Sequence, residues 1–388
     1  MDGDAGRATE RAEGFNGLKR AAASLPAAWY GDPAQHAREM AAIWRKGWVA
    51  FARAEALAAP GARLAAPLAG MNVLALRDGA GALRAFHNVC RHRGAELCPE
   101  GAGRIAGGRI SCPYHDWTYA EDGLLLATGK ARAVEGFDRA GHGLVPLGVA
   151  EWGGFVFVNA AGGGQGDFAA AHGPDLAPLA PWRPETLAPV HSETIDIDCD
   201  WKLFWENFNE CLHCPGVHPA LSALVPIYGR GIMEREDDPA WRDHGPDAPP
   251  ALTGRLREGA ESWTEDGRAA GPRLPGLADD DAARGQTYAV ILPSFFMVGH
   301  VDHARPVRVL PLGPGRTRLE ATWLAPPDAG IDGPALAAFA KRVMAEDAAA
   351  CEGNQRGLRA APFEAGVLMQ EEYEIAAFHG WLRARLES

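Results

Sequence analysis

Two short knuckles limit what this chain can fold into. The first, NVCRHRG, sets Cys90 two residues before His92, and the second, SCPYHDW, sets Cys112 three residues before His115. Nineteen residues separate His92 from Cys112. Structural zinc usually pairs like with like, cysteine with cysteine and histidine with histidine. Here each knuckle holds one of each. That mixture suits a 2Fe–2S cluster with two unlike irons, one held by both thiolates and the other by both imidazoles. Imidazole in place of thiolate raises the potential, to roughly −150 to +300 mV. Both knuckles lie in a β-rich region, with glycine and proline beside the ligands as tight loops require.

The surrounding texture supports a small all-β domain. From Trp48 to about Asn159, short β-like runs alternate with Gly-rich turns, and RDGAGA (77–82) reads as a hairpin turn between two alternating strands. Before it, residues 27–46 open with a Pro-Asp turn and continue as a helix. After it, AAGGGQGDFAAAHGPDLAPLAPWRP (160–184) reads as a linker. The rest mixes strands (TYAVILPSFFMVGH, ARPVRVLPLGPGRTRLEATWLAP) with two helical patterns near the end. Strands in a run with helices at the ends argue for an α+β fold. The expected organisation is a helical segment 1–46 packing on the last domain, a cluster domain 47–159, and a second domain 160–388. Residues 234–285, dense in Pro, Gly, Asp and Arg, suit a lid, a subunit contact or disorder.

Charge narrows the partners. The chain has 388 residues and a net charge of −12, from 38 basic against 50 acidic side chains. A phosphate backbone needs a basic face, so nucleic acid is not an expected partner. The first twenty residues are polar and of mixed charge, so a secretory signal is not expected. The most apolar stretch, LVPLGVAEWGGFVFVNAA, is interrupted by Pro146 and Glu151, so neither is a membrane span. Seven cysteines in a long chain without a signal point to a reducing cytoplasm.

A second constellation lies in ENFNECLHCPGVHP (206–219), where His213 and His218 form H-x4-H. Two imidazoles and one carboxylate leave positions open on Fe(II). Pro215 and Gly216 are expected to break a helix after the first histidine and turn the second toward the same metal. Cys211 and Cys214 form C-x-x-C, but two further zinc ligands or a strand–helix redox context are missing, so they are expected to pack as small apolar residues. Cys98 is expected to be a packed free thiol.

The segment CRHRG…CPYHDWTY resembles the cluster signature of Rieske proteins, and among them the ring-hydroxylating non-haem iron oxygenases. The resemblance runs from Trp29 to the last helix. It implies that Cys90, His92, Cys112 and His115 hold the 2Fe–2S cluster, and that a helix-grip antiparallel-sheet domain holds a mononuclear Fe(II). It implies His213, His218 and an acid in VMAEDAAACEGNQRGL as the iron ligands; Asp347 fits best, with Glu346 and Glu352 as alternatives. Glu210, three residues before His213, would bridge His213 to the cluster-bound His115 of a neighbouring subunit. The family assembles as α3 or α3β3. It takes NAD(P)H electrons through a separate flavin or iron–sulfur reductase or a ferredoxin, and uses O2 on a small molecule.

Glutamate at position 210, within E-C-x-H-C-P-x-x-H-P, resembles the members acting on quaternary amines such as glycine betaine, stachydrine, carnitine and choline. The implied activity is monooxygenation, by hydroxylation or N-demethylation of a quaternary ammonium compound. Dioxygenation or O-demethylation of an aromatic acid is the alternative, and a Rieske electron carrier without oxygenase activity is the alternative from another class. A methylated cation favours aromatic faces, for which Trp263, Tyr288, Phe295, Phe296 and Trp323 are candidates, and His300 and His303 could line the pocket.

Overall fold

The computed structural model describes residues 14–245, 247–360 and 363–387. Residues 1–13 of the expected N-terminal helical segment lie outside the described residues. The chain divides into two compact units, one of residues 38–186 and 289–296, the other of residues 1–37, 187–288 and 297–388. A unit built mainly of small β-sheets and a unit of antiparallel sheet with helices make this an α+β fold.

The first unit contains three small antiparallel sheets. Strands β1 (Val49–Arg53), β2 (Ala62–Leu68), β3 (Met71–Arg77), β4 (Leu83–His87) and β5 (Gly101–Arg104) come first. They are followed by β6 (Arg109–Ser111), β7 (Trp117–Ala120), β8 (Leu125–Thr128), β9 (Gly148–Trp152) and β10 (Phe155–Asn159). The sheet orders are β4–β3–β2–β5, β6–β7–β8 and β9–β10–β1. Turn chemistry sets the hairpins. The Asp78 carboxylate accepts from the N–H groups of Ala80 and Ala82, and Gly81 takes φ +85°, which closes the β3–β4 turn. Gly153 and Gly154 both have positive φ, the conformation that a two-residue hairpin between β9 and β10 demands. Leu74, Leu76, Phe86, Ile110, Trp117 and Tyr119 form a core that also encloses Cys90 and Cys112.

The expected linker is not one. Gln165–Leu176 is a helix, α1, and its Phe168 is buried against Trp48 and Phe157, with ring centroids 5.4 and 4.8 Å away. Its Gly, Ala and Pro content suggested a flexible connection, yet one buried aromatic ring is enough to hold a short helix that propensity alone would not.

In the second unit, β11 (Ala188–Ile197) passes through Asp200 into α2 (Trp201–Phe208). Strands β12 (Thr287–Ile291), β13 (Phe295–Gly299), β14 (Ala304–Gly313) and β15 (Arg316–Ala325) complete a five-stranded sheet of order β11–β15–β14–β13–β12. Helix α3 (Gly333–Leu358) buries Leu336, Phe339, Ala340, Val343, Met344, Ala348 and Cys351, the three-and-four spacing of one helical face. It approaches β11 so closely that a Cβ on Gly333 would fall 2.0 Å from the Val190 carbonyl oxygen. Helix α4 (Tyr373–Glu387) packs on α2, with the Trp201 and Phe378 rings 5.9 Å apart. Within 234–285 the described residues form only short helical turns, including Arg235–Asp237, Pro250–Thr253 and Asp279–Arg284, but Leu256, Ser262 and Trp263 are buried.

The β11–α2 junction is held by charge. Asp200 caps α2 by accepting from the Lys202 N–H, and its Oδ1 lies 2.6 Å from the fully buried Lys202 Nζ. The Asp200 N–H donates to Gln355 Oε1 on α3, which ties the junction to that helix. Asp200→Ala should lower unfolding stability by about 3–5 kcal/mol, because it removes the carboxylate that lies against a fully buried ammonium. Replacing Asp200 and Lys202 together by apolar residues should recover most of that loss. Chemical denaturation of the three proteins checks both outcomes.

Candidate metal centres

The two knuckles close as matching loops. The Cys90 N–H donates to the Ala95 carbonyl and the Gly94 N–H to the Cys90 carbonyl; the Cys112 N–H donates to the Trp117 carbonyl and the Asp116 N–H to the Cys112 carbonyl. Gly94 (φ +78°) and Asp116 (φ +59°) take the left-handed conformation that such a tight reversal needs. The structure thus brings all four residues together. Cys90 and Cys112 lie buried and within hydrogen-bond reach of each other, and the His92 and His115 rings stand 4.8 Å apart. The Tyr119 hydroxyl lies 3.3 Å from Cys90 Sγ and also accepts from the Arg91 N–H. His92 stacks on Trp117 with ring centroids 4.8 Å apart. His115 Nδ1 is buried without a hydrogen-bond partner. Two enclosed thiols beside two imidazoles, one with an orphaned nitrogen, fit a cluster with two sulfur-held and two nitrogen-held positions.

In the second unit, loop 209–218 and helix α3 meet at one point. His213 Nε2 lies 3.2 Å from His218 Nε2; Asp347 Oδ1 lies 2.9 Å from His218 Nε2 and 3.4 Å from His213 Nε2. One ligand atom from each of the three falls within 4.8 Å of the others. The far side of each imidazole is held by an acid: His213 Nδ1 is 2.5 Å from Glu210 Oε1, and His218 Nδ1 is 2.7 Å from Glu346 Oε2. Carboxylates on both Nδ1 atoms fix which nitrogen of each ring faces the centre. Glu210 also accepts from the backbone N–H groups of Leu212 and His213.

Charge within this centre is unbalanced toward the anion. Burial alone would lower the His213 pKa, but Asp347 and Glu210 raise it to about 10. Burial alone would raise that of Asp347, but its hydrogen bonds to His213 and His218 bring it down to about 2. Two imidazoles ringed by three carboxylates favour a cation. Two nitrogens and an oxygen converging from one side form the facial set that suits ferrous iron with open positions.

The structure also differs from the sequence expectations. The helix ends at Phe208, before His213 rather than after it, and Pro215 sits in the first turn of a short helix, Cys214–Val217. Proline is tolerated there because its missing N–H would have no partner. The turn of that short helix, not a break, swings His218 back to His213. Cys211 and Cys214 are joined in a disulfide rather than packed as separate thiols. A Cys214 N–H bond to the Cys211 carbonyl brings their Cα atoms to 5.0 Å, within bridging range. Glu352 is not at the centre; its carboxylate accepts from the Asp198 N–H. Cys98 is free and buried, as expected.

Of the suggested aromatic residues, Phe295 packs on Phe155 and Phe157 in the first unit, and Trp323 packs against His191. Trp263 packs in the same cluster as Cys211, Cys214 and Phe339. His303 Nδ1 lies 2.8 Å from Asp302, and His300 Nδ1 lies 3.2 Å from the Gly285 carbonyl, both rings fully enclosed.

Sequence reasoning missed Asn207. Its amide donates to Asp347 Oδ1 at 2.7 Å and lies 3.4 Å from His213 Nε2. The only local signal is its position in the last turn of α2, three residues before Glu210. A second omission is a half-buried acid cluster beside Phe208. The Tyr288 hydroxyl donates to Glu234 at 3.4 Å, and that of Tyr373 donates to Glu374 at 3.4 Å. Burial, together with Glu234 and Asp237, pushes Glu374 up to about 7.

A family model described as the ring hydroxylating alpha subunit (catalytic domain) matches residues 184–388, and one described as the Rieske [2Fe-2S] domain matches residues 47–138. The chain belongs to the ring-hydroxylating oxygenase alpha-subunit family. It is 33% identical to the glycine betaine monooxygenase oxygenase subunit of Chromohalobacter salexigens, over 92% of this chain and 84% of that protein. It is 28% identical to the chloroplastic choline monooxygenase of Beta vulgaris, over 93% and 78% respectively. The fold matches that of the quaternary ammonium Rieske monooxygenase CntA in complex with an inhibitor, with a TM-score of 0.69 and 23% identity over 94% of this chain and 95% of that one. As a family member the chain is an oxidoreductase of the oxygenase class, with a Rieske 2Fe–2S cluster and a mononuclear iron as cofactors and a reductase as electron source. Among the described residues no helix is long and apolar enough to cross a membrane.

Asp347→Ala should remove one iron per chain and leave the visible spectrum of the cluster intact. Asn207→Ala should weaken the affinity for that iron by about 10–100-fold. Iron titration of the two variants checks both. Glu374 yields a pH prediction with a definite sign. Its raised carboxyl keeps a proton in the native chain that the unfolded chain has already released, so its stabilising effect is complete at acid pH and fades as pH climbs through about 7. Glu374→Gln, a permanent copy of the protonated form, should therefore raise the thermal midpoint at pH 8 and change it little at pH 5.

Proposed function

We propose that this chain is the oxygenase component of a system that N-demethylates or hydroxylates a small quaternary ammonium compound such as glycine betaine. The observation that carries the oxygenase half is the meeting of His213, His218 and Asp347, with a carboxylate behind each imidazole. An electron carrier needs no such centre. The substrate half is supported by relatives named for glycine betaine and choline and by the acidic surroundings of the iron site.

In this reading Cys90, His92, Cys112 and His115 hold the cluster, and His213, His218 and Asp347 hold the iron. Iron bound there supplies one-electron chemistry with O2 beside the substrate. Each protein group then has a task. Glu210 and Glu346 orient the two imidazoles through Nδ1, and Asn207 fixes the free rotation of the Asp347 carboxylate. Demethylation consumes the substrate, O2, two electrons and two protons, and yields the demethylated amine, formaldehyde and water.

Electrons reach Glu210 from the cluster of another copy in a homotrimer. Exposed apolar side chains accompany both ends of that route: Leu212, Phe363, Val367 and Met369 in the iron unit, and Tyr114, Leu124, Leu126 and Val134 in the cluster unit. Glu210 and His213 border a depression that Phe363 and Val367 also line. Apolar surface of this kind favours a protein partner. The cluster domain spans 47–159, and the iron is held within 160–388. The enzyme works in the cytoplasm, where a flavin or iron–sulfur reductase, or a ferredoxin, draws on NAD(P)H.

Metal analysis should find about three irons and two acid-labile sulfides per chain, against two irons for a carrier. With a surrogate reductase, glycine betaine should drive O2 uptake with formaldehyde release. Turnover of an aromatic acid, with no oxidation of any betaine, would contradict the substrate assignment.

A further inference from the structure

Strand β14 contributes a cation that the chemistry above does not use. Ala304 pairs with Leu324 and Val307 with Ala321, so Arg305 shares a face of the sheet with Val307, Val309, Leu319, Ala321 and Trp323. That face is buried; the opposite one carries Arg308 and Glu320, paired at 2.7 Å. Arg305 is 6% exposed. Its Nε is enclosed without a hydrogen-bond partner, and its guanidinium makes no ion pair with any described residue. Burial lowers its pKa to about 10, so it stays charged at neutral pH, and the carboxylate whose field reaches it is Asp347 of the iron site. A desolvated guanidinium without an anion is expensive to keep. The same nitrogens, in their planar fork, match a carboxylate.

The same unit holds a second enclosed donor without a partner. Trp263 is 6% exposed, and its indole N–H has no partner. Its ring lies 5.4 Å from His300, whose basicity is depressed by burial first and then by the His303 and Arg305 charges, and 6.1 Å from Phe339 on α3. Trp263 shares its hydrophobic cluster with Cys211 and Cys214, the residues on either side of the loop that carries His213.

We propose that Arg305, together with the Trp263 indole N–H, binds the carboxylate of the substrate next to the iron. The inference rests on the oxygenase reading and narrows its substrate class to a small molecule bearing a carboxylate. Among quaternary ammonium compounds this selects zwitterionic betaines over the alcohol choline. The residue is a determinant of binding and specificity.

The test is anaerobic calorimetry on the iron-loaded, cluster-bearing protein, with glycine betaine, its methyl ester, choline and benzoate as probes. Wild type should bind glycine betaine about 30-fold or more tighter than the ester or choline; Arg305→Gln should lose that margin, with the ester and choline changed by less than about threefold. Arg305→Lys should restore part of it, and iron content and the cluster spectrum should match wild type in both variants. Equal weakening toward all probes, unchanged binding of glycine betaine, or loss of iron from Arg305→Gln would each overturn the proposal. Should neither glycine betaine nor its ester bind while benzoate binds in an Arg305-dependent way, the anion site stands and the quaternary ammonium reading falls.

Discussion

One carboxylate on a long helix, facing two imidazoles on a loop, is the contact around which the second unit is arranged. Asp347 lies far along the chain from His213 and His218, so the pair can meet only if α3 and α2 are both fixed. The sheet and the Asp200–Lys202–Gln355 junction do that fixing. Every neighbour of the centre then acts on orientation. Glu210 and Glu346 hold the rings from behind, and Asn207 holds the acid. The centre collects more negative charge than its histidines can balance, and this excess explains both its fit to a metal cation and the raised basicity of His213.

The cluster unit solves a different problem with smaller means. Its loops are short and self-closed, each by two backbone hydrogen bonds, so the thiols are fixed by the loops themselves and the imidazoles are left near the surface. Buried sulfur and accessible nitrogen suit a proposed electron exit on the histidine side. Glu210, tied to His213 yet bordering an open depression, is suited to the receiving end.

How legible this was in the sequence depended on how local each feature is. The C-x-H and C-x2-H knuckles and the H-x4-H segment fit within a few residues, and the structure brings each set together. Asp347 was legible only through family resemblance, because α3 carries several acids and spacing cannot rank them. Asn207 and the role of Glu346 were invisible, since both depend on contacts more than a hundred residues apart. The Cys211–Cys214 bond was missed because a C-x-x-C without a strand–helix context gives no hint that a tight turn will bring the sulfurs together. The linker at 160–184 was misjudged from composition, where burial of Phe168 overrode a weak propensity. Arg305 read as one more strand residue until pairing placed it on the buried face.

The central claim is that the cluster of one copy serves the iron of another. Co-expression tests it directly: Cys112→Ser chains, which lack the cluster, with His213→Ala chains, which lack the iron. Each variant alone should be inactive. The mixed oligomer should turn over substrate, because some neighbours then pair an intact cluster with an intact Glu210–His213 site. A mixed oligomer, shown by mass to contain both chains, that remained as inactive as its parents would contradict transfer between subunits.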